Sequence, residues 1–219
     1  VRHTEANAMK WLVSVGLGGA VLALFAAITS LAIGWTYLGT QSQIELAIRR
    51  AEARQLMEIF PAGTHDNDVV DDTFALEAET ALLGLRQNRR GYRVREERRV
   101  IGVILPVTAR DGYSGDIRAL VGVRSDGSVA GVRVVAHKET PGLGDKVDLR
   151  KSAWILDFNA RSLTDPAISG WTVSKDGGAF DQFTGATVTP RAVILATRRA
   201  LEYAQLNRAT LFETPVNDP

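Results

Sequence analysis

The chain carries no charged residue between Lys10 and Glu45. Within that stretch Trp11 to Leu38 reads WLVSVGLGGAVLALFAAITSLAIGWTYL. This is longer than the roughly 20 apolar residues that carry a helix across a bilayer core. Trp11 stands at one end and Trp35 and Tyr37 at the other, where interfacial aromatics collect. The pattern predicts a transmembrane helix over residues 11–39, preceded by an N-terminal tail, 1–10. A cleaved signal peptide is the plainer alternative, but the run exceeds the ~7–15 residues of such an apolar region. Gly16 and Ala20, four apart, allow close approach of another helix in lipid. Basic residues on the two flanks, Arg2 and Lys10 against Arg49, Arg50 and Arg54, do not decide the orientation.

Beyond the span the period of apolar positions stays helical. Ile44, Ile48, Leu56, Ile59 and Phe60 recur near 3.6, and Pro61 stops the pattern, so an amphipathic stalk helix is expected over 40–62. Residues 63–99 read as a charged connection: acidic THDNDVVDD first, then basic RQNRRGYRVREERR. That basic run is either a patch for anionic lipid or an acidic partner, or a solvated loop or edge strand. From Val100 the texture changes to strands: VIGVILPV is a short apolar run, IRALVGV follows, and VAGVRVVAHKE alternates. Ser125-Asp126-Gly127-Ser128 is a hairpin turn between the last two. A short helix is expected around Ser152–Phe158, another strand over Gly170–Ser174, and a final helix from Pro190 to Leu206. Thr189 would cap it, and Val193, Ala196, Ala200, Leu201 and Ala204 give it a buried stripe. The soluble part is therefore α+β, a small antiparallel sheet with packed helices over 100–206 and a C-terminal tail, 207–219.

Composition narrows the chemistry. Lys and Arg total 26 against 25 Asp and Glu, so no global field points to nucleic acid. With no cysteine there is no disulfide framework, thiol nucleophile or thiolate-bound cluster. His3, His65 and His137 are the only histidines, which leaves little for a metal site or a Ser-His-Asp triad. No catalytic residue and no metal site is expected on this chain.

Two segments look too specialised for plain turns. In Glu139-Thr140-Pro141-Gly142-Leu143-Gly144 the glycines let backbone approach a ligand closely. A strand-to-helix connection that needs glycine explains the same residues. Asp181-Gln182-Phe183-Thr184-Gly185-Ala186-Thr187-Val188-Thr189-Pro190 feeds a small-residue loop into a helix N-terminus. Unpaired N–H groups and the helix dipole make such an end a place for phosphate, or simply a capped turn.

Together these segments resemble the FMN-binding domain of the G subunit of the Rnf electron-transport complex, shared with the C subunit of the sodium-pumping NADH:quinone oxidoreductase. The signature is Asp, two spacers, Ser or Thr, then Gly-Ala-Thr, here Asp181, Thr184, Gly185, Ala186 and Thr187. The order of membrane helix, stalk and domain is also similar. The resemblance implies FMN joined by a phosphoester to the Thr187 hydroxyl, with Thr184 and Thr189 as near decoys. It implies that a flavin transferase makes the bond and recognises Asp181. It places Glu139, Thr140, Gly142 and Leu143, with Pro141, against the flavin, beside Thr184, Gly185 and Ala186. The implied role is a one-electron relay in a ferredoxin:NAD oxidoreductase coupled to ion translocation. Implied partners are the other membrane and redox subunits and the lipid bilayer, without nucleic acid. The implied location is the bacterial inner membrane, single-pass, with the soluble domain on the periplasmic side. Two alternatives stand beside this: a cofactor-free membrane-anchored scaffold, and an FMN-dependent reductase with His137 or Lys175 as proton donor.

Overall fold

The computed structural model describes residues 2–78 and 80–213; within the first helix it describes the side chains at Gly18–Ala20, 22–37, 39–40, 46–47 and from Arg49 onward. The expectations placed on Trp11, Gly16 and the last six residues lie outside the described parts. Helix α1, Arg2–Met57, runs unbroken through the predicted tail, span and most of the stalk. It stops at Met57, a turn before Pro61, because Ile59 and Phe60 leave the helix to pack elsewhere. Gly18–Tyr37 is long and apolar enough to cross a membrane, and none of its described side chains is buried. A soluble helix would have to bury such a surface; a bilayer accommodates it.

The second compact unit begins at Ala51. Its frame is a five-stranded antiparallel meander: β1 Thr73–Leu76, β2 Arg89–Glu96, β3 Arg99–Ala109, β4 Ile117–Arg124 and β5 Val129–Ala136. The three strands expected after Val100 are β3, β4 and β5. Residues 63–99, expected as a connection, instead contribute β1 and β2 to the sheet. Two of the arginines there are neutralised within the fold. Asp72 pairs with Arg95 at 2.6 Å and lies 3.9 Å from Arg93, whose guanidinium also covers the Phe74 ring at 4.8 Å.

Period-two alternation gives the sheet two faces. Val103, Leu105 and Val107 of β3 and Ile117, Val121 and Val123 of β4 point into the main core. This face is covered by α2, Val188–Leu206, through the predicted buried stripe, whose alanines let the helix backbone come close. The core continues into an aromatic cluster. Phe158 stacks on Phe180 at 4.7 Å, and Trp154 meets Phe158 and Phe183 edge-on at 5.3 and 5.0 Å. The opposite face holds a smaller core of Leu56, Ile59 and Phe60 on Tyr92, Val94, Ile104 and Leu120. Tyr92 donates its phenol to Glu52; burial first, then that bond, raises the phenol pKa above its ordinary value.

Three further expectations change. The helix at 153–158 is 3-10 rather than α, capped by Ser152, whose hydroxyl accepts from Trp154 N at 3.2 Å. Gly170–Ser174 is no strand: two 3-10 turns border it, and a single bridge joins Val173 to Phe180. Glycines 170, 177 and 178 break up any longer pairing. The region after Leu206 is not simply a tail, since α3, Arg208–Phe212, buries Leu211 in the main core.

Candidate functional site

Three segments far apart in sequence meet around one carboxylate. Glu139 follows β5 and is only 4% exposed. Its Oε1 accepts from Ser114 N at 2.8 Å, in the β3–β4 turn, and its Oε2 accepts the Thr189 hydroxyl at the start of α2. A buried carboxylate needs such donors to offset its lost hydration. Glu139→Ala leaves the Ser114 N–H and the Thr189 hydroxyl without their acceptor. A loss of about 1–3 kcal/mol in denaturant unfolding is expected; unchanged stability would mean the segments are held otherwise.

Thr189 is therefore not the helix cap that the sequence suggested. The helix begins at Val188, and Thr187 occupies the N-cap position. Pro190 still falls in the first turn, where a missing N–H costs no helical bond. Thr187 has αR geometry (φ −81°, ψ −25°) and its side chain makes no capping bond. Its hydroxyl is half-buried and uncommitted beside the unpaired N–H groups of the helix start.

Both loops are tightly built. Thr140 C=O accepts from Leu143 N and Gly144 N, each at 3.1 Å, and Gly142 N donates to Asp145 Oδ1 at 2.8 Å. A Cβ on Gly144 would lie 2.8 Å from Thr189 Oγ1 and 3.0 Å from Glu139 Oε2, so glycine is required by contact. In the second loop Ala186 N bonds Phe183 C=O at 3.1 Å, and Gly185 has φ +81°, which a side chain would strain. Leu143 Cδ2 lies 3.6 Å from where a Gly185 Cβ would be, so the two predicted loops touch.

The second loop is anchored at its ends and open in its middle. Asp181 C=O accepts the Trp154 indole N–H at 2.8 Å, while the Asp181 side chain is exposed. Gln182 Oε1 accepts from Ser174 Oγ at 2.8 Å and Lys175 N at 3.1 Å. Arg191, in the first turn of α2, clasps Asp176 through two bonds of 2.6 and 2.8 Å. That guanidinium holds the Asp176 carboxyl below the usual carboxylate range, so the pair persists until the pH falls through the depressed value. Thr184 and Gly185 are exposed and Ala186 half-buried.

The structure thus brings Glu139, Thr140, Gly142 and Leu143 together with Gly185 and Thr189, and leaves Thr187 at the edge of that junction. Sequence reasoning missed Ser114 and the Asp176–Arg191 clasp. The turn Asp111–Asp116 carries no motif that ties it to Glu139. His137 Nδ1 accepts from Glu139 N at 3.2 Å, a bond within its own loop, and Lys175 is exposed on the turn that Gln182 holds. Each joining segment also exposes an apolar side chain: Tyr113 at 74%, Leu143 at 42% and Val188 at 42%. Exposed apolar side chains on segments that meet at a helix N-terminus suit a flat ring attached to a phosphate.

Comparison with known proteins covers both parts of the chain. The FMN-binding domain family matches residues 112–202, a span that contains all three segments of the junction. The RnfG N-terminal region matches residues 9–59. A protein of Pseudoalteromonas atlantica, described as the G subunit of an ion-translocating oxidoreductase complex, is 46% identical over 198 residues, 90% of this chain and 92% of its own length. The protein of the same description from Pseudomonas aeruginosa is 48% identical over 194 residues, 87% and 89% of the two chains. That of Vibrio cholerae is 38% identical over 204 residues, 93% and 97%.

Proposed function

Because the chain belongs to the RnfG family of ion-translocating oxidoreductase subunits, we propose that it holds its FMN as a phosphoester on Thr187 and relays electrons between other redox subunits. Its FMN-binding domain and its relatives make it a membrane flavoprotein subunit of an Rnf-type complex.

The residues fit the group. A phosphodiester keeps one negative charge, which the start of α2 stabilises through its free N–H groups and dipole. Leu143, Val188 and Tyr113 offer apolar surface for a ring system, and the backbone at Thr140 and Gly142 offers polar atoms for its edge. When bound, FMN supplies acceptance and donation of single electrons. The chain contributes position: Glu139 locks the two loops to α2, Gly144 lets them close, and the Asp176–Arg191 clasp fixes the helix end.

One observation carries the assignment to Thr187. Of the three threonines in the loop, Thr189 is fully buried and donates to Glu139, and Thr184 stands apart from the helix start on the exposed turn. Thr187 alone combines an uncommitted hydroxyl with the N-cap position. The exposed Asp181 carboxylate, with its backbone pinned by Trp154, is suited to recognition by a flavin transferase. We place the domain on the periplasmic side, where a covalent tether prevents loss of the flavin by dilution.

Asp181→Ala tests the recognition role. With the transferase co-expressed, occupancy of the chain by flavin is expected to fall severalfold while its unfolding curve is unchanged, because the exposed carboxylate contributes little to the fold. Wild-type occupancy, measured as in-gel fluorescence per denatured chain, would remove Asp181 from the recognition site.

A further inference from the structure

The basic run after Leu85 divides into two kinds of arginine. Arg86 is held by Asp116, and Arg93 and Arg95 by Asp72. Arg89 and Arg90 of β2 and Arg118 of β4 have no ion pair or side-chain hydrogen bond among the described residues. These three line one groove of about 460 Å³ in the second unit.

Register explains why Arg90 and Arg118 converge. Tyr92 pairs with Ile104, so Arg90, two residues earlier, lies on the same face beside Pro106. Pro106 pairs with Leu120 and Thr108 with Arg118. Arg90 and Arg118 therefore flank β3 over an apolar floor of Pro106 and Leu120. The Glu52–Tyr92 hydrogen bond closes one side. Leu56, Ile59 and Phe60 cover only the neighbouring part of this face, against Gly102 and Gly122.

We propose that this groove docks an acidic segment of another subunit of the complex, its carboxylates against Arg89, Arg90 and Arg118 and an apolar side chain on the floor. The proposal rests on the chain's place in a multi-subunit assembly. Guanidinium groups pair with carboxylates through two parallel bonds, and an interface gains specificity from such complementarity. Strands flanking a common neighbour are roughly 10 Å apart. That spread suits carboxylates strung along a peptide better than a single phosphate headgroup. The apolar floor adds the dry centre that an interface needs.

The test uses the whole complex purified with the full chain. Arg89→Glu/Arg90→Glu/Arg118→Glu is expected to lower the recovery of this subunit with its partners by about tenfold or more. Its covalent flavin and its melting temperature should stay at wild-type values, and Lys151→Glu, on an exposed turn that does not line the groove, should have no effect. The milder Arg90→Gln/Arg118→Gln pair should move recovery the same way with less risk to folding. A photo-crosslinker at Thr108 should land on an Asp- or Glu-bearing segment of another subunit. Wild-type recovery of both variants overturns the proposal. So does a preference of the full chain for phosphatidylglycerol over phosphatidylcholine vesicles that the arginine variants abolish, which would make the groove a lipid site. Flavin missing from the wild-type chain would count against the Thr187 assignment instead, leaving the docking result to be read by itself.

Discussion

Thr187→Ala yields a folded protein whose denatured band is dark, with flavin attachment reduced from near-complete to none. The side chain makes no capping bond and is half-exposed, so its removal should change stability by no more than about 0.5 kcal/mol. Loss of attachment would then report on the hydroxyl itself. Thr187→Ser keeps a hydroxyl at the same helix start and should retain the flavin. Thr184→Ala should also retain it. Thr189→Ala is a poorer control, because it strips Glu139 of a buried partner and so disturbs the junction of all three segments. Mass spectrometry of the peptide spanning residues 176–191 checks the site directly. A fluorescent Thr187→Ala band with the adduct on Thr184 would sink the assignment and place the flavin on the exposed turn.

How much of this was legible depended on whether the determining residues were neighbours in sequence. Strands β3, β4 and β5 were readable because β3 is a continuous apolar run, apolar residues dominate β4 and β5, and Gly127, at φ +88°, marks the turn between β4 and β5. Strands β1 and β2 were hidden. In β2 the alternation runs through arginines, and Arg95 is buried where Asp72, 23 positions earlier, pairs with it. The β2–β3 turn gives no signal either: Glu97 and Arg98 both take positive φ, 48° and 68°, where glycine or asparagine is the usual marker. The site shows the same division. The two loops are contiguous motifs and could be read as such. The bonds that assemble them link Glu139 to Ser114 and to Thr189 across 25 and 50 positions, and no local pattern records those distances. For Thr189 sequence reasoning chose the commoner use of a threonine before a helix; a buried carboxylate from another loop took the hydroxyl instead.

Gly122→Val should detach the chain end of α1 from the sheet and cost about 3–6 kcal/mol, the loss expected when two large apolar side chains are exposed at about 1.5–3 kcal/mol each. No positive φ is involved at this position; the requirement is space. A Cβ on Gly122 would lie 2.2 Å from Ile59 Cγ2, and one on Gly102 2.3 Å from Phe60 Cζ. The two glycines thus form the slot into which Ile59 and Phe60 close after the helix ends at Met57. Neither side chain can yield without leaving the small core it shares with Val94, Ile104 and Leu120. Gly131 provides the comparison within the same face: its added Cβ would meet Ile59 Cα at 3.5 Å, an ordinary contact, so Gly131→Ala should be tolerated. Denaturant unfolding of the full chain in detergent measures both variants, and limited proteolysis reads the freed segment between Met57 and Asp72. The flavin should remain attached in Gly122→Val, since Thr187 and the Glu139 junction are built from α2 and loops on the other side of the sheet. Wild-type stability together with unchanged proteolysis would show that the slot is not what holds Ile59 and Phe60. Loss of the flavin alongside the detachment would show instead that the two faces of the sheet are coupled, with the small core supporting the strands from which the junction hangs.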